Sequence, residues 1–102
     1  MSKGNLLGML GLAARARKIV TGTEIVTDKI KSGKGVFLVV IASDVSQNTL
    51  KKIVNCCKYY EKEYVQVQFT QDEISKAVGK TSYVSSVAII DRNFSDAIKK
   101  LV

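Results

Sequence analysis

Residues 36–42, VFLVVIA, decide the fold of this 102-residue chain. The run is apolar at every position, which is typical of a strand covered on both faces rather than of a half-exposed strand. Ser46, four residues farther on, is a candidate N-cap for an amphipathic helix. The apolar stripe of that helix comprises Leu50, Ile53, Val54 and Cys57. We therefore expect a central strand followed by a helix that packs against the sheet.

Strands and helices continue to alternate toward the C-terminus. Residues 65–69, VQVQF, alternate in polarity, which predicts a strand that lies at an edge or shows one face to water. Thr70 and Glu73 have the spacing of a capping box, so a short helix should follow. Residues 83–90 predict a second buried strand, and Asp91 caps a last helix. The inward positions of that helix are Phe94, Ile98 and Leu101. This order predicts an α/β protein with helices on both faces of one sheet.

Two helices should precede the central strand. Apolar residues at three- and four-residue intervals predict a first helix that ends near Arg15. At the start of the second, Thr21 and Glu24 have capping-box spacing, and Val20 with Ile25 has the spacing of a hydrophobic staple. The second helix should span residues 22–32, with Ile25, Val26 and Ile30 turned inward.

Positive charge is concentrated near the N-terminus. Sixteen lysines and arginines against nine acids give a net charge of +7. Residues 1–34 carry seven bases and two acids, so most of the excess lies in the first third of the chain. A clustered basic excess is typical of proteins that bind nucleic acid.

Several functional classes are disfavoured by what the sequence lacks. It has no histidine, no serine nucleophile elbow and no metal-binding constellation, so we expect no enzyme activity, no cofactor and no metal. Cys56 and Cys57 are adjacent, which prevents an easy disulfide between them, and they should be free thiols. No apolar run approaches the roughly 20 residues of a membrane span, and the N-terminus does not read as a signal peptide. We expect one cytoplasmic, monomeric domain over residues 1–102.

The start of the second helix is the candidate binding site. Free amide hydrogens and the positive end of the helix dipole favour an anion there, and Gly22 lets a partner's backbone come close. Arg15, Arg17 and Lys18 lie immediately upstream. The competing interpretation is a well-capped helix beside solvated bases.

An ordered set of short motifs covers nearly the whole chain. The set comprises residues 11–18 (GLAARARK), 21–22 (TG), 31–33 (KSG), 41–44 (IASD), 56–60 (CCKYY), 76–80 (KAVGK) and 87–91 (VAIID). It resembles the ribosomal protein family of L-seven-Ae and L-thirty-e, in particular its small bacterial members of the YlxQ type. The resemblance implies a three-layer α/β/α sandwich with a small mixed sheet. It also implies binding of structured RNA, either ribosomal RNA or a kink-turn, in which sheared G·A pairs accompany a sharp bend.

The resemblance further implies which residues contact RNA. In the family, the start of the helix after the Thr-Gly turn meets the G·A pairs, and the loop before the last core strand covers a flipped-out nucleotide. Carried over with the adjacent bases, these positions are Arg17, Lys18, Thr21, Gly22, Thr23, Glu24, Lys80, Thr81, Ser82, Tyr83 and Val84. A helix N-terminus with nearby bases suits phosphates, and a loop with an aromatic ring and hydroxyls suits an unstacked base.

Three positions depart from the family pattern. Kink-turn binders commonly have Asn-Glu after the Gly-x pair and a Lys three residues beyond that Glu. This chain has Glu24, Ile25 and Asp28 at those places. Glu24 is still able to accept from a guanine edge, Ile25 is not, and Asp28 repels phosphate where a Lys would attract it. The departures bear on kink-turn recognition rather than on RNA binding in general.

Other motifs have more than one interpretation. Asp44 follows a buried strand, as the phospho-acceptor of a receiver domain does, but no acidic pair follows an earlier strand, so we interpret it as a turn or cap residue. Residues 33–35, GKG, are too short for a phosphate loop and precede a strand, which favours a turn. Lys80 is either a solvated charge at a helix C-terminus or an RNA contact, and Tyr83 either caps the core or stacks on a base. The two tyrosines expected to close the end of the third helix, one buried and one exposed, are Tyr59 and Tyr60.

A second class of function remains open for the chain as a whole. The basic end could be incidental to a protein-interaction or small-anion-binding α/β module. The salt dependence of RNA binding separates the two classes, because neutralised phosphates release counterions.

Overall fold

The computed structural model describes residues 2–102, with side chains from residue 5 onward. The described residues form five helices and four strands, and the predicted α/β class is confirmed. In chain order these are α1 (Ser2–Arg15), β1 (Ile19–Thr21), α2 (Thr23–Lys31), β2 (Leu38–Ile41), α3 (Gln47–Tyr59), β3 (Tyr64–Gln66), α4 (Gln71–Ala77), β4 (Ser86–Ile89) and α5 (Arg92–Lys99). Within this described part, no helix combines the length and apolar character that a membrane crossing needs.

The four strands form one mixed sheet in the order β1-β4-β2-β3. β2 pairs in parallel with β3 and antiparallel with β4, and β4 pairs antiparallel with β1. At the centre of the sheet Val40 lies opposite Val65 on one side and Val87 on the other. The two apolar runs therefore form the central strands, and the alternating run supplies the edge strand β3, as predicted.

Successive residues of β2 face opposite layers of helices. Leu38 and Val40 belong to the core cluster packed under α1, α4 and α5, whereas Val39 and Ile41 belong to the cluster packed under α2 and α3. We call these the α1/α4/α5 layer and the α2/α3 layer. Because both faces of the sheet are covered, every residue of β2 is buried. The three-layer sandwich implied by the resemblance is confirmed.

Side-chain caps begin three of the helices as predicted. Ser46 Oγ accepts from the Thr49 amide at 3.1 Å, and Asp91 Oδ2 accepts from the Phe94 amide at 3.0 Å. Thr70 and Glu73 form a complete capping box at the start of α4. Asp44 Oδ1 also accepts from the first amide of α4, that of Gln71, at 2.8 Å. The interpretation of Asp44 as a turn or cap residue is therefore confirmed.

The predicted capping box and staple at the start of the second helix are wrong. Thr21 is the last residue of a strand, β1, and the N-cap of α2 is Gly22, whose lack of a side chain precludes any side-chain cap. Ile25 is 59% exposed, so it is not an inward position, whereas Val26 and Ile30 are fully buried. β1 is only three residues long and forms because it pairs with β4. Its sequence is too short to show the periodicity that predicts a strand.

Two further details differ from expectation. The strand predicted over residues 83–90 begins only at Ser86. Tyr59 and Tyr60 do lie at the end of α3 in an edge-to-face pair with ring centroids 4.9 Å apart, but both are exposed, at 80% and 36%. The expectation of one buried ring is therefore wrong.

The adjacent cysteines are free thiols, as predicted. Cys57 is fully buried in the α2/α3 layer, and burial, helped by neighbouring Cys56, raises the pKa of its thiol to about 11. Burial also raises the pKa of the Cys56 thiol. Both sulfurs therefore stay protonated at neutral pH and are poor nucleophiles. Among the residues described, no cluster of three or more His, Cys, Asp or Glu side chains is placed to hold a metal ion.

Candidate nucleic-acid interface

β1 brings the chain directly to the start of α2, beside the start of β4. Thr21 pairs with Val87 in the ladder, and the next amide, that of Gly22, donates to the Ser86 carbonyl at 3.0 Å. Gly22 has φ 98° and ψ 151°, a backbone region that is essentially restricted to glycine. This conformation turns the chain out of the strand so that helix α2 begins at once, at Thr23.

The amino end of α2 has no side-chain cap from any described residue. The Gly22 carbonyl accepts from the Val26 amide at 2.9 Å, so the first helical turn is formed. The amides of that turn have no acceptor within the helix, and they lie at the positive end of its dipole. The local geometry therefore suits an anion such as a phosphate.

A hydrogen bond between two hydroxyl groups links the start of α2 to the loop that precedes β4. Thr23 Oγ1 lies 2.7 Å from Ser85 Oγ, and Ser85 Oγ lies 3.4 Å from Ser86 Oγ. Thr23 is half-buried, and Ser85 and Ser86 are buried. Ser85 directly follows residues 80–84, so this contact places the end of that segment beside residues 21–24, as the sequence analysis expected.

The loop before β4 is anchored at one residue and exposed at the others. The Val84 side chain is 3% exposed and belongs to the core under α1, α4 and α5, so Val84 is an anchor and not a surface residue. Lys80, Thr81 and Ser82 are exposed, and Tyr83 is 73% exposed. Tyr83 therefore does not cap the core, the first of the two alternatives left open by the sequence.

A pocket of about 360 Å³ lies where these segments meet the end of α1. Its lining is apolar except for one hydroxyl and two cationic side chains. The lining residues are Ala14, Arg17, Ile19, Val20, Thr21, Ile25, Val78 and Lys80. The structure thus brings together Arg17, Thr21 and Lys80, which the sequence analysis took from separate segments. Gly22, Thr23 and Ser85 adjoin it through the contacts described above.

Arg17 holds an unusual backbone conformation at the edge of this pocket. Its φ is +60°, in the left-handed region, where the chain leaves α1. The Arg17 amide donates to the Ala14 carbonyl at 3.0 Å and the Lys18 amide to the Ala13 carbonyl at 2.9 Å, which closes the helix. Glycine is the usual residue at such a position, and an L-residue there costs about 1–2 kcal/mol. The next residue, Lys18, is exposed and precedes β1.

Glu24 is held by a lysine from the neighbouring helix. Lys52 Nζ of α3 donates to Glu24 Oε2. This hydrogen bond and the charge of Lys52, with a smaller contribution from Lys31, lower the pKa of the Glu24 carboxyl. Glu24 is therefore an ionised acceptor beside the amino end of α2.

The sequence analysis missed one residue of this surface, Lys52, and assigned another, Ile25, to the core. Lys52 was missed because no spacing relates positions 24 and 52; their contact arises only when α2 packs on α3. Ile25 was assigned to the core because it is apolar and has staple spacing with Val20. The buried face of α2 is formed by Val26, Thr27 and Ile30, so Ile25 turns outward and lines the pocket.

Comparison with known proteins places this architecture in a family. Residues 5–99 match the family model described as ribosomal protein L7Ae/L30e/S12e/Gadd45. The RNA-binding protein YlxQ of Bacillus subtilis (strain 168) is 35% identical over 94 residues, which cover 92% of this chain and 91% of that protein. The RNA-binding protein YlxQ of Enterococcus faecium is 34% identical over 105 aligned positions, which cover 100% and 98%.

Solved structures share the fold. A protein of unknown function from Bacillus halodurans C superposes with a TM-score of 0.86 at 33% identity, covering 94% of each chain. The 15.5kD RNA binding protein of Giardia lamblia superposes with a TM-score of 0.74 at 17% identity, covering 99% of this chain and 90% of that one. The sheet order, the sequence match and these superpositions agree, and the chain belongs to the ribosomal protein L7Ae/L30e/S12e/Gadd45 family.

Proposed function

We propose that this protein is a non-catalytic, ribosomal-type binder of structured RNA. The observation that carries the proposal is the contact between Thr23 and Ser85, which holds the uncapped end of α2 beside the segment that follows the exposed loop 80–83. The names of the B. subtilis and E. faecium relatives, both called RNA-binding proteins, support it. The proposed contact residues are Arg17, Lys18, Thr21, Gly22, Thr23, Glu24, Lys80, Thr81, Ser82 and Tyr83.

Different parts of this surface suit different parts of an RNA. The leading amides of α2 and the cations Arg17, Lys18 and Lys80 bind phosphates. The exposed ring of Tyr83 stacks on an unstacked base, and the neighbouring hydroxyls of the loop bond to base edges or 2′-hydroxyls. Glu24, held ionised by Lys52, accepts from an amino group on a guanine edge.

A kink-turn is the RNA class that this arrangement suits, because it offers an unstacked nucleotide beside a guanine-containing bend. This chain offers fewer hydrogen-bonding groups to the G·A pairs than the family pattern does. Glu24 is the available carboxylate, exposed Ile25 contributes only apolar contact, and exposed Asp28 adds a negative charge one helical turn away. We therefore propose binding that depends more on the bend and the phosphates than on the identity of both G·A pairs.

The salt dependence of RNA affinity tests the proposed function. With a kink-turn RNA titrated over about 50–300 mM KCl, the logarithm of the association constant should fall linearly with the logarithm of salt. Three cations on phosphates give a slope of roughly −2 to −3, at about −0.7 to −0.9 per phosphate. Lys18→Glu should lower the affinity and should make the salt dependence shallower, because one phosphate contact is lost. The same RNA strand in an unbroken duplex is the control; a flat response, or equal affinity for both RNAs, would favour the protein-interaction or small-anion module.

Replacing Arg17 by glycine should separate stability from binding. Glycine relieves the left-handed strain but adds freedom to the unfolded chain, so Arg17→Gly should be about 0.5–1 kcal/mol more stable in urea unfolding. It should also bind RNA more weakly, since a cation leaves the pocket. Glu61→Gly is the matched control, because Glu61 has φ +56° and lies outside the pocket. Glu61→Gly should gain stability at unchanged RNA affinity; a gain in stability with unchanged affinity for Arg17→Gly would remove Arg17 from the contact surface.

A further inference from the structure

The surface between α1 and α5 carries an open apolar groove of about 620 Å³. Met9 and Leu12 of α1 and Leu101 beyond α5 supply much of its floor. Leu12 is 50% exposed and lies in the last turn of α1, which buries Leu6 and Leu10 on its other side. A single exposed leucine is ordinary, but this one lines an apolar depression to which Met9 and Leu101 also contribute.

α1 carries two central glycines, and the fold accounts for one of them. A methyl group at Gly11 would lie 2.9 Å from the backbone oxygen of Ala77, so Gly11 is needed for α1 to approach α4. A methyl group at Gly8, which lines the groove, would meet no heavy atom of the described residues within 4 Å. Glycine inside a helix is less stable than alanine. Packing within the described chain gives no reason for Gly8, whereas close approach by another molecule does.

Among the residues whose side chains the structure describes, the two charged ones that line the groove are both positive. Arg15 and Lys100 line it, and the acidic residue of α5, Asp96, lines a different depression. A second copy of this chain, with a net charge of +7, would bring like charges together. Nucleic acid would satisfy the two cations but would leave Met9 and Leu12 without apolar partners. An acidic protein segment with an apolar face would cover the apolar residues of the groove and also pair with its two cations.

We propose that this groove binds an amphipathic helix of an acidic partner protein. The apolar face of that helix, with residues spaced at i, i+3 or i+4, and i+7, packs on Met9, Leu12 and Leu101. Flanking Asp or Glu side chains pair with Arg15 and Lys100, and the helix backbone approaches at Gly8. The groove follows α1 from Asn5 to Arg15, about 15 Å at 1.5 Å per residue, which accommodates about three helical turns.

The groove is separate from the proposed RNA surface. The groove and the pocket beside α2 share no lining residue, although Arg15 and Arg17 lie close together at the end of α1. The partner and RNA therefore bind side by side, and binding at the groove does not rest on binding of RNA.

A selection from displayed helical peptides tests the proposal. The library is randomised for apolar residues on one face and for charge on the flanks, and is panned against the full chain with counter-selection on Leu12→Asp. We expect enriched peptides with Leu, Ile or Phe on one face and Asp or Glu beside it. Synthetic versions should bind Leu12→Asp, and Arg15→Glu combined with Lys100→Glu, about tenfold more weakly than the wild type. Gly8→Ala should also weaken binding severalfold while remaining folded.

Tyr59→Asp is the matched control, because it places the same charge at another exposed apolar residue, 80% exposed at the end of α3. Its affinity for the peptides should equal that of the wild type. The chain has two methionines, so methyl labelling gives a reporter in the groove at Met9, whose signal should shift on peptide binding. Circular dichroism checks that each variant is folded.

Several results would overturn this proposal. One is a selection that enriches no peptide or enriches basic peptides. Another is a loss of peptide affinity in Tyr59→Asp as large as that in Leu12→Asp. A Met9 signal that moves on raising the protein concentration alone would instead make the groove a contact between copies. A signal that moves with kink-turn RNA and not with the peptides would assign the groove to RNA.

Discussion

Gly22→Ala is expected to lower the free energy of unfolding by about 1–3 kcal/mol and to weaken RNA binding about tenfold or more. A methyl group at Gly22 meets no heavy atom within 4 Å, so steric crowding is not the reason. The cost lies in the backbone, because φ 98° with ψ 151° is a region that alanine avoids. Relief requires rotation about φ, which displaces the start of α2 and disturbs the bond from the Gly22 amide to Ser86.

Gly33→Ala is the control for this experiment. Gly33 has φ +77° with open space around it, and it lies in the turn after the other end of α2. Its substitution should cost about 1 kcal/mol and leave RNA affinity unchanged. Urea unfolding and RNA titration on all three proteins give the comparison. If Gly22→Ala were destabilised but bound RNA as the wild type does, the amides at the start of α2 would not be part of the RNA surface.

Reversing two charges of the pocket, Arg17→Glu with Lys80→Glu, is expected to reduce RNA affinity about a hundredfold at 0.1 M salt. The change removes two phosphate contacts and adds two repulsive charges beside them. The slope of log affinity against log salt should become shallower by about 1.4–1.8, the contribution of two phosphates. Stability should change little, since both side chains are exposed and Glu61 demonstrates that the chain accommodates glutamate at a left-handed backbone position.

A variant with the same change in net charge isolates the effect of position. Lys34→Glu with Lys58→Glu alters exposed lysines in the turn after α2 and in the last turn of α3. This pair should lose only a few-fold in affinity, through the general field of the protein. Equal losses in the two double variants would mean that RNA responds to net charge alone, which would contradict a localised surface.

Local signals in the sequence were sufficient for most of the fold. The unbroken apolar runs predicted the two central strands because burial on both faces leaves no polar position. Ser46, Thr70 and Asp91 predicted helix starts because a cap is a contact over three residues, visible in the sequence itself. The family resemblance added the layered arrangement. The matched motifs cover most of the chain in the same order as in the family, which favours the same order of helices and strands.

Features that depend on distant contacts could not be predicted in the same way. β1 exists because Ile19–Thr21 pairs with a strand almost 70 positions later, and three residues show no period. The Thr21–Glu24 spacing favoured a cap, but pairing with β4 took Thr21 into the sheet. Tyr83 is exposed although the residues after it, Val84 and Ser85, are both buried, and no local pattern predicts this. The sequence analysis expected residues 21–24 and 80–84 to share one surface, and Thr21 and Lys80 do line one pocket, but their role in RNA binding stays a prediction. The hydrogen bond between the Thr23 and Ser85 hydroxyls could be seen only in the folded structure.

The proposed RNA surface draws on both sides of the sheet. Helix α2 belongs to the α2/α3 layer, while loop 80–83 continues from α4 on the opposite face and is anchored there by Val84. A nucleic acid bound to both segments would connect the two helix layers, so that neither layer could unfold without releasing it. Resistance to unfolding would then rise with ligand concentration in both halves together, including the core residues that the ligand never touches.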